Sequence, residues 1–341
     1  MTAHPLLLAM LVVEAAGCLL ICLSGAGAVR ILSGWAKETA SEQQLRLERL
    51  AETVAMMTRA GLLLAAAALL LFVIAVSVVL PRIVPGAMCG TGVMQGMGPA
   101  GPRVLYSQGA LLGLLLIWRL LARLDGTRPI SVLTPVMSRL LILAAPVSLV
   151  AAVHLLSAVR ALDIHTPVDC CATVYSAAAL AVSPVRHASA AALVAGTAFL
   201  SGVLVFAAAA IIRRPLRRRA ALLAAPASLG FAVTGWLALL IAFSPYHYGV
   251  LAHYCSWCLF VAEHRFVGWP LFAALGAVPA EGAAILIASA VGRRYETLAK
   301  AAEKRVQHGA RGLLAALAVF LLLTFGAALL WRLRFGVWMS G

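Results

Sequence analysis

The chain has 341 residues, 63% hydrophobic and 11% charged, with a mean hydropathy of +0.99. A soluble globular domain carries about 25% charged residues, so this composition excludes a water-facing surface over most of the chain. The net charge of +15 does not indicate nucleic acid as a partner. The basic residues gather in short connections between apolar runs, where membrane proteins hold them on the cytoplasmic side beside anionic lipid.

A helix crossing the hydrocarbon core needs about 20 mostly apolar residues. Eight stretches fit: 5–28, 60–80, 106–123, 139–161, 189–212, 220–243, 268–292 and 312–331. The expected fold is all-α, a polytopic integral membrane protein of about eight transmembrane helices, with 1–341 forming one transmembrane helical domain in the lipid bilayer. The first run begins beside Met1 without a basic leader region or an A-x-A cleavage site, which predicts a retained helix.

Four connections, 29–59, 119–139, 213–219 and 293–311, hold 5, 4, 5 and 6 Lys or Arg, which is 20 of the 27. The positive-inside rule assigns these to the cytoplasm and turns both termini outward. An even helix count with both ends on one side is self-consistent. Residues 29–59 form a longer cytoplasmic segment whose stretch Lys37–Met57 sets Leu45, Leu47, Leu50 and Val54 among charges, the pattern of an amphipathic helix with Ser41 as its cap.

The outward loops are then 81–105, 162–188 and 244–267, and they hold five of the seven cysteines. Cys89 lies in the first, Cys170 and Cys171 in the second, and Cys255-Ser256-Trp257-Cys258 in the third. The expected location is the bacterial inner membrane with these loops on the periplasmic side, an oxidising compartment where disulfides form. Three readings compete. Disulfides between loops would staple a structural subunit of a larger membrane complex, and five cysteines leave one over. Alternatively, the C-x-x-C exchanges disulfides, its first thiolate stabilised if the motif opens a helix. Cys89, Cys170 and Cys171 would then supply the second pair, with a periplasmic thiol protein as partner. In a third reading, Cys89, Cys170, Cys171, Cys255 and Cys258, with His253, bind copper or zinc, since thiolate and imidazole suit Cu(I) and Zn²⁺. A c-type haem is excluded at the motif because Leu259, not histidine, follows Cys258.

An outward C-x-x-C with a second cysteine pair resembles, in arrangement alone, the membrane disulfide-forming proteins and vitamin K epoxide reductases. That resemblance implies a quinone as electron acceptor. The chain departs from those families in its eight spans, where theirs have four or five.

Three acidic or histidine residues fall inside spans: Glu14, His154 and Glu281. Such groups are costly in lipid unless paired or hydrated, which makes them functional candidates. Glu14, Cys18 and Cys22 follow at four-residue spacing on one face of the first helix. Pro279, two residues before Glu281, predicts a break in the seventh span.

Overall fold

Apolar segments of this length satisfy their backbone N–H and C=O groups internally, and helix is the local solution. The computed structural model describes residues 4–35, 41–126, 131–170, 189–250 and 253–339. Helix α1 spans Pro5–Gly34, with Pro5 in the first turn, where its missing N–H costs no hydrogen bond. Helix α2 spans Glu42–Ile74. The Ser41 hydroxyl caps it by accepting from the Gln44 N–H at 3.2 Å. The amphipathic stretch therefore runs without interruption into the second apolar run. Beyond Ile74 the helix widens into a π turn, Ala75–Val79, and closes with a tight turn, Leu80–Arg82.

The short helix α3, Gly90–Gly96, is followed by α4, Ala100–Asp125, and α5, Thr134–Ala161. The buried Asp125 carboxylate accepts from the Val132 and Leu133 N–H groups at 3.0 and 3.2 Å and from the Ser131 hydroxyl. It thereby satisfies donors at the start of α5 that the helix cannot satisfy itself. The second half holds α6, Ala190–Arg213, and α7, Arg218–Ala238, which continues through a π turn, Leu239–Phe243, into α8, Ser244–Tyr248. The last two helices are α9, Gly268–Arg294, and α10, Ala299–Phe335.

Among the described residues no strand occurs, and eight helical stretches are long and apolar enough to cross a membrane. Their outer faces carry Leu8, Val12, Leu19 and Leu23 on α1 and Leu322, Leu329 and Leu330 on α10, all exposed. Apolar area of this kind suits lipid and not water. This is the pattern of a multi-pass membrane protein.

The chain divides into two compact units, Met1–Val168 and Asp169–Gly341. In the first, α1 packs on α2 and α5, and α4 packs on the same two helices. The result is an up-and-down four-helix ring in which α1 and α4 stand diagonally across the centre. Ile21, Leu111, Leu115, Trp118 and Leu141 fill part of its core. Small residues bring the helices together: a Cβ on Gly25 would lie 2.7 Å from the Ala145 Cβ. In the second unit α6 packs on α7, α7 on α9, α9 on α10 and α10 on α6. The order of elements is the same in both: a spanning helix, a second one ending in a π turn, a cysteine-bearing loop, then two more spanning helices.

One sequence expectation changes. Pro279 does not break its helix, because α9 runs continuously through it; neighbouring helices can support a proline inside a spanning helix. The basic stretch 293–311 is drawn largely into α10, whose 37 residues exceed a minimal span. Arg305 thereby reaches Glu281 at 2.8 Å.

Candidate functional site

The loop after α8 carries the C-x-x-C. Pro245 sits in the first turn of α8, and Gly249 ends it at φ +69°. Glycine takes this left-handed conformation without Cβ strain. The chain then folds back along α8 and is pinned twice. The Ser244 hydroxyl donates to the His253 carbonyl at 3.1 Å, and the Tyr248 hydroxyl donates to the Cys255 carbonyl. The following turn, Trp257–Phe260, buries Leu259 and Phe260. Phe260 meets Trp269 and Phe272 of α9 at 5.1 Å each between ring centroids. Gly268 makes this approach possible, since a Cβ there would lie 2.9 Å from the Leu259 carbonyl carbon.

These anchors place Cys255 in buried surroundings and leave Cys258 half-buried. The two Sγ atoms lie within 4.8 Å of each other. The motif rests on one tight turn of four residues. Such a turn lacks the aligned dipoles of an α-helix start, so the helix-terminus stabilisation expected for the first thiolate is not supplied.

Imidazoles and a phenol adjoin the motif. The Tyr248 ring meets His253 at 4.3 Å and His264 at 4.6 Å, both edge-on. His253, the imidazole of the metal reading, is thus held against an aromatic ring. His247 is bonded to the Leu323 carbonyl of α10. Its Nε2 is buried with no hydrogen-bond partner. Tyr248 and His247 stand seven and eight residues before Cys255; in the sequence Tyr248 reads as part of an interfacial aromatic belt and His247 as an imidazole near the cysteines, and the structure sets Tyr248 against the rings of His253 and His264.

Burial pushes the His264 imidazole below its ordinary value of 6.5, and repulsion from His253 adds to this; its bond to the His247 carbonyl and the nearby Glu263 carboxylate act the other way. A depressed value means the folded loop binds the proton less readily than the unfolded chain. The stability this group contributes is present above pH 6.5 and is lost as the pH falls through the lowered value. Mild acidification should therefore lower the hydrogen-exchange protection of residues 253–267, read against the intrinsic exchange rate at each pH. His264→Gln should make that protection less sensitive to pH.

The other cysteines divide between the units. Cys89 is buried in the first unit, extended at φ −154° just before α3, with its carbonyl accepting from the Gly92 N–H at 3.1 Å. Its loop is tied to the segment after α5: the Val168 N–H donates to the Pro85 carbonyl at 3.0 Å and the Asp163 N–H to the Gly96 carbonyl at 3.2 Å. Gly86, at φ +75°, passes the Val168 backbone so closely that a Cβ would collide with its carbonyl. Cys170 is buried at the start of the second unit. Cys171 lies outside the described residues.

Of the intramembrane candidates, Glu14 is buried and its Oε2 accepts from Gln108 Nε2 at 2.7 Å. Glu281 is paired with Arg305. His154 is half-buried on α5, its Nδ1 hidden without a partner. Cys18 and Cys22 converge on the Ser148 hydroxyl at 3.8 and 3.7 Å. Gln108, Ser148 and Arg305 carry no signal of their own in the sequence: Gln108 and Ser148 are neutral residues within apolar runs, and Arg305 lies outside the run 312–331.

No protein family matches this chain, and neither does a curated protein or a solved structure.

Proposed function

We propose that the protein lies in the bacterial inner membrane with its cysteine loops on the periplasmic side, and that Cys255 and Cys258 form a redox-active dithiol. The observation that carries this reading is the approach of the two sulfurs within 4.8 Å, Cys255 just before the tight turn Trp257–Phe260 and Cys258 within it, one buried and one half-buried. A pair so placed can close a disulfide with little backbone movement, while the half-buried member stays open to a partner.

The exposure difference divides the roles. Cys258 is the thiol that meets a partner, and Cys255 is the resolving thiol. In the oxidising direction a partner thiolate attacks Cys258 Sγ of the Cys255–Cys258 disulfide. A mixed disulfide forms and Cys255 leaves as the thiolate. A second partner thiolate then attacks the partner's own sulfur in that bond and releases Cys258. The partner gains a disulfide, and the motif takes up two electrons and two protons. A membrane quinone would accept these and leave as the quinol, restoring the disulfide. Cys89, Cys170 and Cys171 are proposed as the second cysteine set, on the topology argument from sequence.

Cys255→Ser should trap a mixed disulfide with a cysteine peptide activated as its pyridyl disulfide, detected by mass spectrometry of the full chain. Cys258→Ser should abolish capture at the motif with folding intact. Capture that survives Cys258→Ser, with Cys89, Cys170 and Cys171 replaced in the same protein, would sink the assignment. Copper or zinc bound stoichiometrically and lost in Cys258→Ser would replace the redox reading with the metal one. A motif inert to both, within a stable co-purifying assembly, would leave the structural-subunit reading.

A further inference from the structure

Glu14 and Gln108 meet at the centre of the first four-helix ring. Helices α1 and α4 are diagonal there, each packed on α2 and α5, so the bond between them crosses the middle of the unit. Glu14 is 5% exposed and Gln108 1%. An amide carries two donors and one acceptor. Here Nε2 donates to the carboxylate at 2.7 Å, while Oε1 is buried with no partner among the described residues. Buried polar atoms are rarely left this way, and each instance requires an explanation.

A structural role explains the pair poorly. Two leucines would pack this centre without desolvating a carboxyl and an amide. Among the described residues of the first unit no cation is paired with the carboxylate. Between Arg59 and Arg82, α2 carries no titratable group. Between Arg103 and Arg119, α4 carries only Tyr106, which is 76% exposed. Between Arg139 and Arg160, α5 carries only His154. The antiparallel pairing of Cys22 with Ser148 puts His154 within one turn of the depth of Glu14. On α1 itself the titratable neighbours are Cys18 and Cys22.

We propose that Glu14 is a proton-exchanging site in the interior of the first unit, with Gln108 as its positioning residue. Gln108 suits both states of the carboxyl. When Glu14 is ionised, Nε2 donates to it across the 2.7 Å approach. When Glu14 holds a proton, the amide turned over by half a rotation accepts that O–H at Oε1. The ligand that Oε1 lacks is thus the proton-bearing group itself, or a water delivering it. From Glu14 the polar line continues along α1 through Cys18 and Cys22. Both thiols approach the Ser148 hydroxyl, and Cys22 also approaches the Ala145 carbonyl at 3.9 Å. Eight residues of helix carry this line about 12 Å along the axis, toward the end of the unit bearing the basic connections. The step is simple proton transfer: the carboxylic acid gives its proton to water and is left as the carboxylate. No electron moves.

Infrared spectroscopy of the full-length protein in lipid tests this. A protonated-carboxyl stretch should be present in the wild type and absent in Glu14→Gln. It should shift in heavy water and lose intensity reversibly as the pH rises. Gln108→Leu should move the frequency of the band without removing it. If Glu14→Gln fails to fold, Glu14→Asp assigns the band by displacing it. Identical carboxyl stretches in wild type and variant would overturn the proposal. So would a Glu14 band that neither exchanges in heavy water nor responds to pH, which would make Glu14 a sealed structural acid. Glu281→Gln should leave the band unchanged, because that carboxylate lies in the second unit, paired with Arg305.

Discussion

Replacing Glu281 with glutamine should destabilise the second unit by about 3–5 kcal/mol, the cost of breaking a desolvated ion pair and leaving one charge behind. Glu281 lies near the middle of α9 and receives Arg305 Nη2 at 2.8 Å, with the arginine 24% and the glutamate 29% exposed. Both side chains are less than a third exposed, so water screens the pair only in part. Arginine does not shed its proton in proteins, and the orphaned guanidinium has no inexpensive state. Glycines on α10 make room for the carboxylate. A Cβ on Gly312 would lie 3.3 Å from Glu281 Oε1, and one on Gly309 3.1 Å from Oε2. Unfolding in a mild detergent titrated with a denaturing one would measure the loss. In the double variant Glu281→Gln/Arg305→Met no charge remains, and it should be more stable than Glu281→Gln alone. A loss below about 1 kcal/mol in Glu281→Gln would place the pair among exposed surface bridges and end the argument.

Gly282→Ala should be the second severe change, at about 1–3 kcal/mol or more from overpacking. Gly282 follows Glu281, so it faces a different neighbour, α7. An added Cβ would lie 2.8 Å from the Ser228 Cβ. Rotating the serine hydroxyl cannot relieve that approach, because the clash involves the first side-chain carbon. Ser228 is fully buried and its hydroxyl donates to the Ala225 carbonyl at 2.7 Å. The helices must therefore separate, and they forfeit dispersion contacts along α7 and α9. Ser228→Gly in the same chain should recover most of the loss. If the double variant is no better than Gly282→Ala, the helix approach is not the cause.

The two glutamates show why neighbouring chemistry could not be read along the chain. By sequence, Glu14 and Glu281 are alike: single acids in apolar runs, each with glycine nearby. Their partners make them opposites. Glu281 meets a cation on the adjacent antiparallel helix, 24 positions away, while Glu14 meets a neutral amide 94 positions away across the diagonal of its ring. The C-x-x-C was visible as a motif, yet the tight turn beneath it and the rings of Tyr248, His253 and His264 around it were not. They depend on the chain doubling back over α8, which is held by Ser244 and Tyr248.

The sequence by itself determined the eight spanning helices and the grouping of the cysteines in three loops. Transfer from water to lipid is a sum over neighbouring residues, and a window of about 20 captures it. The tertiary structure alone decided which buried groups meet. Helix register and side-chain reach set those encounters, and both depend on packing between segments remote along the chain. It also decided how the thiols differ: within the C-x-x-C, residues only three apart, one cysteine is buried and the other half-buried, because Tyr248 holds the backbone at Cys255 while the turn that carries Cys258 is anchored by Phe260.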